Sequence, residues 1–275
     1  MPGTLSNPGH DLSIRDRGLG LVLADGNEWL FVGEDASASA IISKLRMILQ
    51  IESLMDPSSK ISVGTPRKID NCDPIAVESL QLSGTYIQMM KIIHRDVLAR
   101  GGLFLHGALA EKNGYGVILA GHSGVGKTTA SIRLPGPWRS LSDDMTLVAR
   151  DGQGRYWGHP WPTWSFFWER SNSGRKWDVS YAVPLKGLFF LAQAYEDKAE
   201  RIGAGQAACM LLETAQQATS GRLDDKSSDG VLTAMNLKLF NNACIMAKSM
   251  KSFILNVSLN GQFWTEIDLA LNSEI

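Results

Sequence analysis

Gly121-His122-Ser123-Gly124-Val125-Gly126-Lys127-Thr128 fits the phosphate-binding loop pattern of glycine, four residues, then Gly-Lys-Ser/Thr. Ahead of it, Tyr115-Gly-Val-Ile-Leu-Ala120 is a short apolar run that predicts a buried strand, and Lys127 to Leu134 predicts the first turns of a helix. Strand, glycine loop and helix in that order is the context the motif needs. The glycines let the chain wrap inward so that several N–H groups face one point, and the helix start adds partial positive charge there. Gly121, Ser123, Gly124, Val125 and Gly126 are therefore expected to cradle phosphate. Lys127 should reach the outer phosphates, Thr128 should place its hydroxyl on a magnesium ion, and Thr129 should support the same turn.

Working outward, Leu103 to Ala110 predicts a strand and Glu111-Lys-Asn-Gly114 its turn, so a strand feeds straight back into the phosphate-loop strand. Downstream, Trp138 to Ala149 predicts a strand interrupted by Asp143-Asp144. Acids beside a short apolar run behind a phosphate loop are where a magnesium carboxylate belongs, with a second carboxylate able to take a proton from an attacking hydroxyl. Residues 151–181 hold five of the eight tryptophans, Trp157, Trp161, Trp164, Trp168 and Trp177, together with Arg170, Arg175 and Lys176. They form either an aromatic platform for an acceptor or a satellite core under a long loop. Strands are further expected at Pro184–Leu191 and Ser252–Leu259, and helices at Ala204–Thr219, Val231–Ala247 and Phe263–Leu271.

The first hundred residues read differently. Short apolar runs at Asp11–Ile14, Leu19–Leu23 and Trp29–Val32, with Asp25-Gly26-Asn27 between the last two, predict strands and a hairpin. Ile41, Leu45, Ile48, Ile51 and Met55 form one helical stripe. Residues 76–99 predict a second helix, ended by Gly101-Gly102, in which His94 reads as structural. Two parts result: an α+β N-terminal part over 1–100 and a phosphate-loop domain over 101–275.

Composition excludes several classes. A chain of 275 residues with 44% apolar and 20% charged residues can bury a core, and a net charge of −1 argues for neither nucleic acid nor an anionic membrane surface. Cys72, Cys209 and Cys244 lack metal-ligand spacing, which suits a reduced compartment. No apolar run reaches the roughly 18 residues of a membrane span, and no secretory segment is evident at the N-terminus, so the expected location is the cytoplasm.

His106 to Thr129 resembles the core of HPr kinase/phosphorylase and its relatives, which place a His-Gly strand ahead of a strand ending in the phosphate loop and follow it with an Asp-Asp pair, here Asp143-Asp144. The closing strand and Phe263-Trp264 helix resemble HPr-kinase-related proteins of peptide-modification gene clusters, of which the ScmC type of the SynChlorMet system has the most similar layout. The resemblance covers about residues 103–271 and is most specific over 106–148. It implies an α/β fold, an HPr-kinase/PEP-carboxykinase-like phosphate-loop core with a mixed β-sheet flanked by helices.

The resemblance also implies a magnesium-dependent kinase that moves a phosphoryl group from a nucleoside triphosphate, ATP by default, to a hydroxyl of a peptide or protein. GTP and pyrophosphate remain alternative donors, and a homo-oligomer is compatible with it. Asp143 and Asp144 would share the work of base and metal ligand, either one being the base, with Asp143 favoured for it and Asp144 favoured on the metal beside Thr128. His106 would lie near the transferred group, and Lys186 would offset transition-state charge. This chain departs from the family in three places. His122 stands where the loop usually has Asp, Thr128-Thr129 stand for Ser-Glu, and Pro184 stands for the glutamate of a later signature that aligns with Pro184-Leu-Lys-Gly-Leu-Phe189. A nucleotide-binding scaffold without chemistry, a phosphohydrolase and a small-molecule kinase are the alternatives.

Overall fold

The computed structural model describes residues 18–22, 28–33, 60–63, 87, 89–161, 181–219 and 229–273. The chain divides into two compact units, Met1–Leu21 with Glu28–Tyr86, and Val22–Asn27 with Ile87–Ile275. The helix over 89–99 (α1), expected with the N-terminal part, lies in the second unit. The hydrogen-bonded order of a three-stranded sheet is β1 (Gly18–Val22), β2 (Glu28–Gly33), β3 (Lys60–Val63). β2 and β3 run parallel, with Leu30 opposite Lys60. The strand at Lys60–Val63 carries no sequence signal beyond two apolar residues in alternation. The helical stripe from Ile41 to Met55, the Asp25-Gly26-Asn27 turn and residues 11–14 lie outside the described residues.

The second unit is built on a nine-stranded mixed sheet flanked by helices. Its path runs β4 (Leu103–Leu105), β8 (Thr146–Arg150), β9 (Tyr156–Pro160), β10 (Val183–Gln193), β6 (Tyr115–Ala120), β5 (Gly107–Lys112), β7 (Arg139–Ser142). β12 (Lys251–Val257) pairs with the far stretch of β10, and β11 (Lys198–Arg201) with β12. β10 makes this possible by its length of 11 residues. Val183-Pro184 pairs antiparallel with β9, and Leu185–Phe190 pairs parallel with β6. Pro184, which has no N–H to give, sits at the end of the strand where such a residue is tolerated.

β5 and β6 form a hairpin, with Gly107 opposite Ala120 and Lys112 opposite Tyr115. Both turn residues have positive φ, 53° at Asn113 and 80° at Gly114. That is the type I′ geometry that Asn-Gly favours and that matches strand twist. Alternation then sorts the core into two layers. Val117, Leu119, Ala108, Phe189 and Leu191 face one side, with Phe263 and Ile267 of α5 (Phe263–Asn272) and Ala130 of α2 (Lys127–Arg133). Ile118, Ala120, Leu109, Leu188 and Phe190 face the other, with Leu211 of α3 (Ala204–Thr219) and Leu239 and Met246 of α4 (Asp229–Ser249). Because β6 and β10 are covered on both faces, they read as continuous apolar runs.

One sequence expectation is corrected in this unit. The single strand expected over Leu103–Ala110 is broken at His106. β4 pairs with β8, β5 with β6, and the His106 N–H donates to the Thr214 carbonyl of α3 at 3.1 Å. The stretch 138–149 forms two strands, β7 and β8, interrupted at Asp143-Asp144 as expected. β9, within the tryptophan-rich stretch, was not anticipated. Among the described residues, no helix is long and apolar enough to cross a membrane.

Candidate functional site

β6 ends at Ala120 and the loop turns at once. Gly121, Gly124 and Gly126 have φ of 148°, 81° and 106°, values an L side chain seldom adopts. A Cβ on Gly121 would lie 3.0 Å from the Val125 side chain, so this position is also closed by packing. At Gly124 and Gly126 a Cβ would meet nothing within 4 Å, and the loop is held open there by backbone conformation alone. Ser123 and Thr129 are exposed, Thr128 is half-buried, and Val125 is buried in the core. The Gln193 amide, at the end of β10, reaches the Gly124 carbonyl at 3.4 Å.

Lys127 folds back over this loop. Its ammonium donates to the carbonyls of Gly121 at 2.9 Å and His122 at 3.0 Å, and the residue is only 6% exposed. Burial pushes its pKa below the ordinary lysine range, and the charge of Asp144 acts in the opposite direction. Asp144 is thus electrostatically coupled to the loop lysine. On its other side, Asp144 Oδ1 lies 3.5 Å from Nε2 of His106, an ion-pair distance, with each side chain about one-fifth exposed. Asp143 is almost wholly buried, at 1% exposure.

Hydroxyl groups fix the acid turn. Ser131, one turn into α2, meets Ser140 of β7 through a short hydroxyl–hydroxyl contact. Ser142, at the end of β7, accepts from Leu109 N–H at 3.3 Å and lies 3.3 Å from the Thr146 hydroxyl. Thr146 in turn donates to the Gly107 carbonyl at 2.9 Å. Ser142 and Thr146 are both fully buried, so these bonds face no competition from water. The chain of hydroxyls runs from the phosphate-loop helix, around the acids, to the residue after His106.

The expected site residues therefore divide. His106, Lys127 and Asp144 come together, with Asp143 in the same turn and Thr128 beside Lys127. Lys186 does not join them. β10 runs parallel to β6 with Leu185 opposite Gly116, and the phosphate loop leaves β6 at its other end. Five residues of strand at about 3.3 Å each place Lys186 roughly 16 Å away. Its ammonium lies over the Tyr115 ring, 3.4 Å from the centroid. Parallel register, a long-range property, overrides the assignment made from the signature alignment.

Of the tryptophans, Trp161 is buried edge-on against Phe104 with centroids 4.8 Å apart, which is the satellite-core alternative for that residue. Trp157 donates its indole N–H to Asp151 at 3.0 Å. Trp164, Trp168, Trp177, Arg170, Arg175 and Lys176 lie outside the described residues. His94 is buried beside Phe104, and burial lowers its pKa to about 4, as befits a structural histidine.

The sequence reading missed two residues that contact His106. Nδ1 of His106 lies 3.0 Å from Oε1 of Gln217 on α3, and the Thr214 carbonyl takes its N–H. A glutamine near the end of a helix carries no local signal of such a role.

A family model for the SynChlorMet cassette protein ScmC matches residues 71–272. The chain belongs to the ScmC family. No curated protein matches it. The ScmC match takes in the phosphate loop, the acid turn, His106 and Gln217, so the whole constellation lies inside the segment that defines membership.

Proposed function

We propose that this ScmC-family chain is a magnesium-dependent phosphotransferase with an HPr-kinase-like phosphate-loop core, moving a phosphoryl group from a nucleoside triphosphate to a hydroxyl of a peptide or protein. The observation that carries this reading is the position of Asp144, coupled to the loop lysine on one side and to His106 on the other. Phosphoryl transfer asks for positioning and charge compensation more than for covalent chemistry, and a small set suffices.

The donor set fits magnesium and a polyphosphate. Gly124 and Gly126 leave the inner face of the loop open, and Lys127 has an ammonium to exchange from two backbone carbonyls to phosphate oxygens. Among the described residues no group of three or more His, Cys, Asp or Glu could hold a metal. Magnesium suits that scarcity, since it commonly takes one or two carboxylates and completes its shell with phosphate oxygens and water. Thr128 and Asp144 would be the protein ligands, and the bound ion would supply charge neutralisation on the phosphates. The partial exposure of Asp144 favours it over Asp143 for ligand contact. The buried Asp143 then has the role of setting the turn, in place of the base role the resemblance implies. His106, whose Nε2 lies beside Asp144, would be the group to orient an incoming hydroxyl.

The test is titration of Mg-ATP, Mg-GTP and magnesium pyrophosphate against wild type and Lys127→Ala. Saturable binding lost in the variant supports the reading, and equal binding by both proteins overturns it. Two observations favour a second reading, a nucleotide-binding switch without chemistry. Pro184 replaces an acidic residue of the resembled signature, and Lys186 stands at the end of the β6–β10 pair opposite the phosphate loop. That reading expects binding without transfer to any acceptor. A phosphohydrolase would instead release phosphate without an acceptor.

A further inference from the structure

We infer that Gln217 is a positioning residue of this site: from α3 it fixes the imidazole of His106 so that Nε2 is the nitrogen presented to Asp144. Two contacts make the assignment. The Gln217 amide nitrogen donates to the Glu213 carboxylate at 3.1 Å, one helical turn earlier. This settles which end of the amide faces which neighbour, because a carboxylate accepts only. Oε1 is therefore the atom turned to His106, 3.0 Å from Nδ1. An amide oxygen also accepts only, so Nδ1 must carry the proton. The ring is held a second time by its own backbone, since the His106 N–H donates to Thr214 on the same helix. The break between β4 and β5 frees that N–H for the purpose.

The consequence is directional. Nε2 is then the nitrogen turned to Asp144, at 3.5 Å against 3.0 Å for Nδ1 from Gln217, so in the neutral ring the proton stays on the side of the shorter contact. Without Gln217 nothing on α3 would hold Nδ1–H, and the ring would place its proton on Nε2 to meet the Asp144 carboxylate instead. The same logic governs ligand histidines, whose outer nitrogen is pinned by a neighbouring acceptor. The catalytic meaning of this arrangement rests on the phosphotransferase reading, whereas the tautomer does not.

The experiment reads the nitrogen chemical shifts of His106 in the nucleotide-free protein at alkaline pH, assigned by comparison with His106→Gln. Its outcome is independent of the nucleotide titration, so failure of either is recognised separately. Wild type is expected with Nδ1 as the protonated nitrogen. Gln217→Leu, a change at a half-buried position, is expected to move His106 mainly to the Nε2–H form. The exchange Glu213→Gln with Gln217→Glu, which rebuilds the donor and acceptor in reverse, is expected to restore the wild-type shifts. An Nε2–H wild type, or a Gln217→Leu protein with wild-type shifts, overturns the proposal.

Discussion

Mild acid should destabilise the second unit through the buried imidazole of His94. His94 is 2% exposed on α1, its Nε2 has no hydrogen-bond partner among the described residues, and the ring packs edge-on to Phe104. Burial lowers its pKa from 6.5 to about 4. The sign follows from proton binding. Below pH 6.5 the unfolded chain takes up a proton that the folded chain refuses until about pH 4, so stability falls as pH falls through that window. At about 1.4 kcal/mol per pK unit, the loss approaches roughly 3.5 kcal/mol at its limit and is about 2 kcal/mol at pH 5. His94→Leu removes the titrating group while keeping an apolar side chain. The assay is urea unfolding of wild type and variant at pH 7.5 and pH 5, followed by tryptophan fluorescence. The stability difference, wild type minus variant, should fall by about 2 kcal/mol between the two pH values. An unchanged difference would refute the buried, neutral assignment.

Other outcomes follow from the same geometry. Lys127→Ala should weaken Mg-ATP binding about ten- to a hundredfold, the worth of a charged hydrogen bond to phosphate, measured by calorimetric titration. Lys186→Ala, about 16 Å from the loop by strand register, should leave that affinity within about twofold of wild type. Thr146→Val should cost about 1–3 kcal/mol in urea unfolding, because the Gly107 carbonyl and Ser142 lose a buried hydroxyl partner; Thr146→Ser should recover most of it. Gly126→Ala forces a side chain into φ of 106°, and should lower phosphate binding with a thermal stability loss of about 1–3 kcal/mol.

The parts of this fold that could be read from the sequence are those fixed by local chemistry. Asn113-Gly114 specifies its turn because both residues tolerate positive φ, and the β6–loop–α2 unit is written in its glycines. α3 was legible as a helix and β10 as an apolar run. The parts that could not be read depend on pairing at a distance. Leu103–Ala110 has the pattern of one strand, and only the partners of each half, β8 and β6, reveal the break that turns His106 toward α3. Lys186 lies two residues along from a proline in a motif-like run, but its place is set by the register of β10 on β6. Gln217 is about a hundred residues from the histidine it touches, and only the packing of α3 on β4 brings them together. Asp143 and Asp144 are adjacent in sequence, yet burial separates them, leaving Asp144 as the one facing the lysine.

The most direct test of the central claim is mass spectrometry of candidate peptides, those encoded beside the chain's own gene, after incubation with Mg-ATP and either wild type or Asp144→Asn. The expected result is a gain of about 80 Da on a hydroxyl-bearing peptide with wild type, and none with the variant despite retained protein stability. Equal modification by wild type and Asp144→Asn would contradict the role of the carboxylate that links Lys127 to His106.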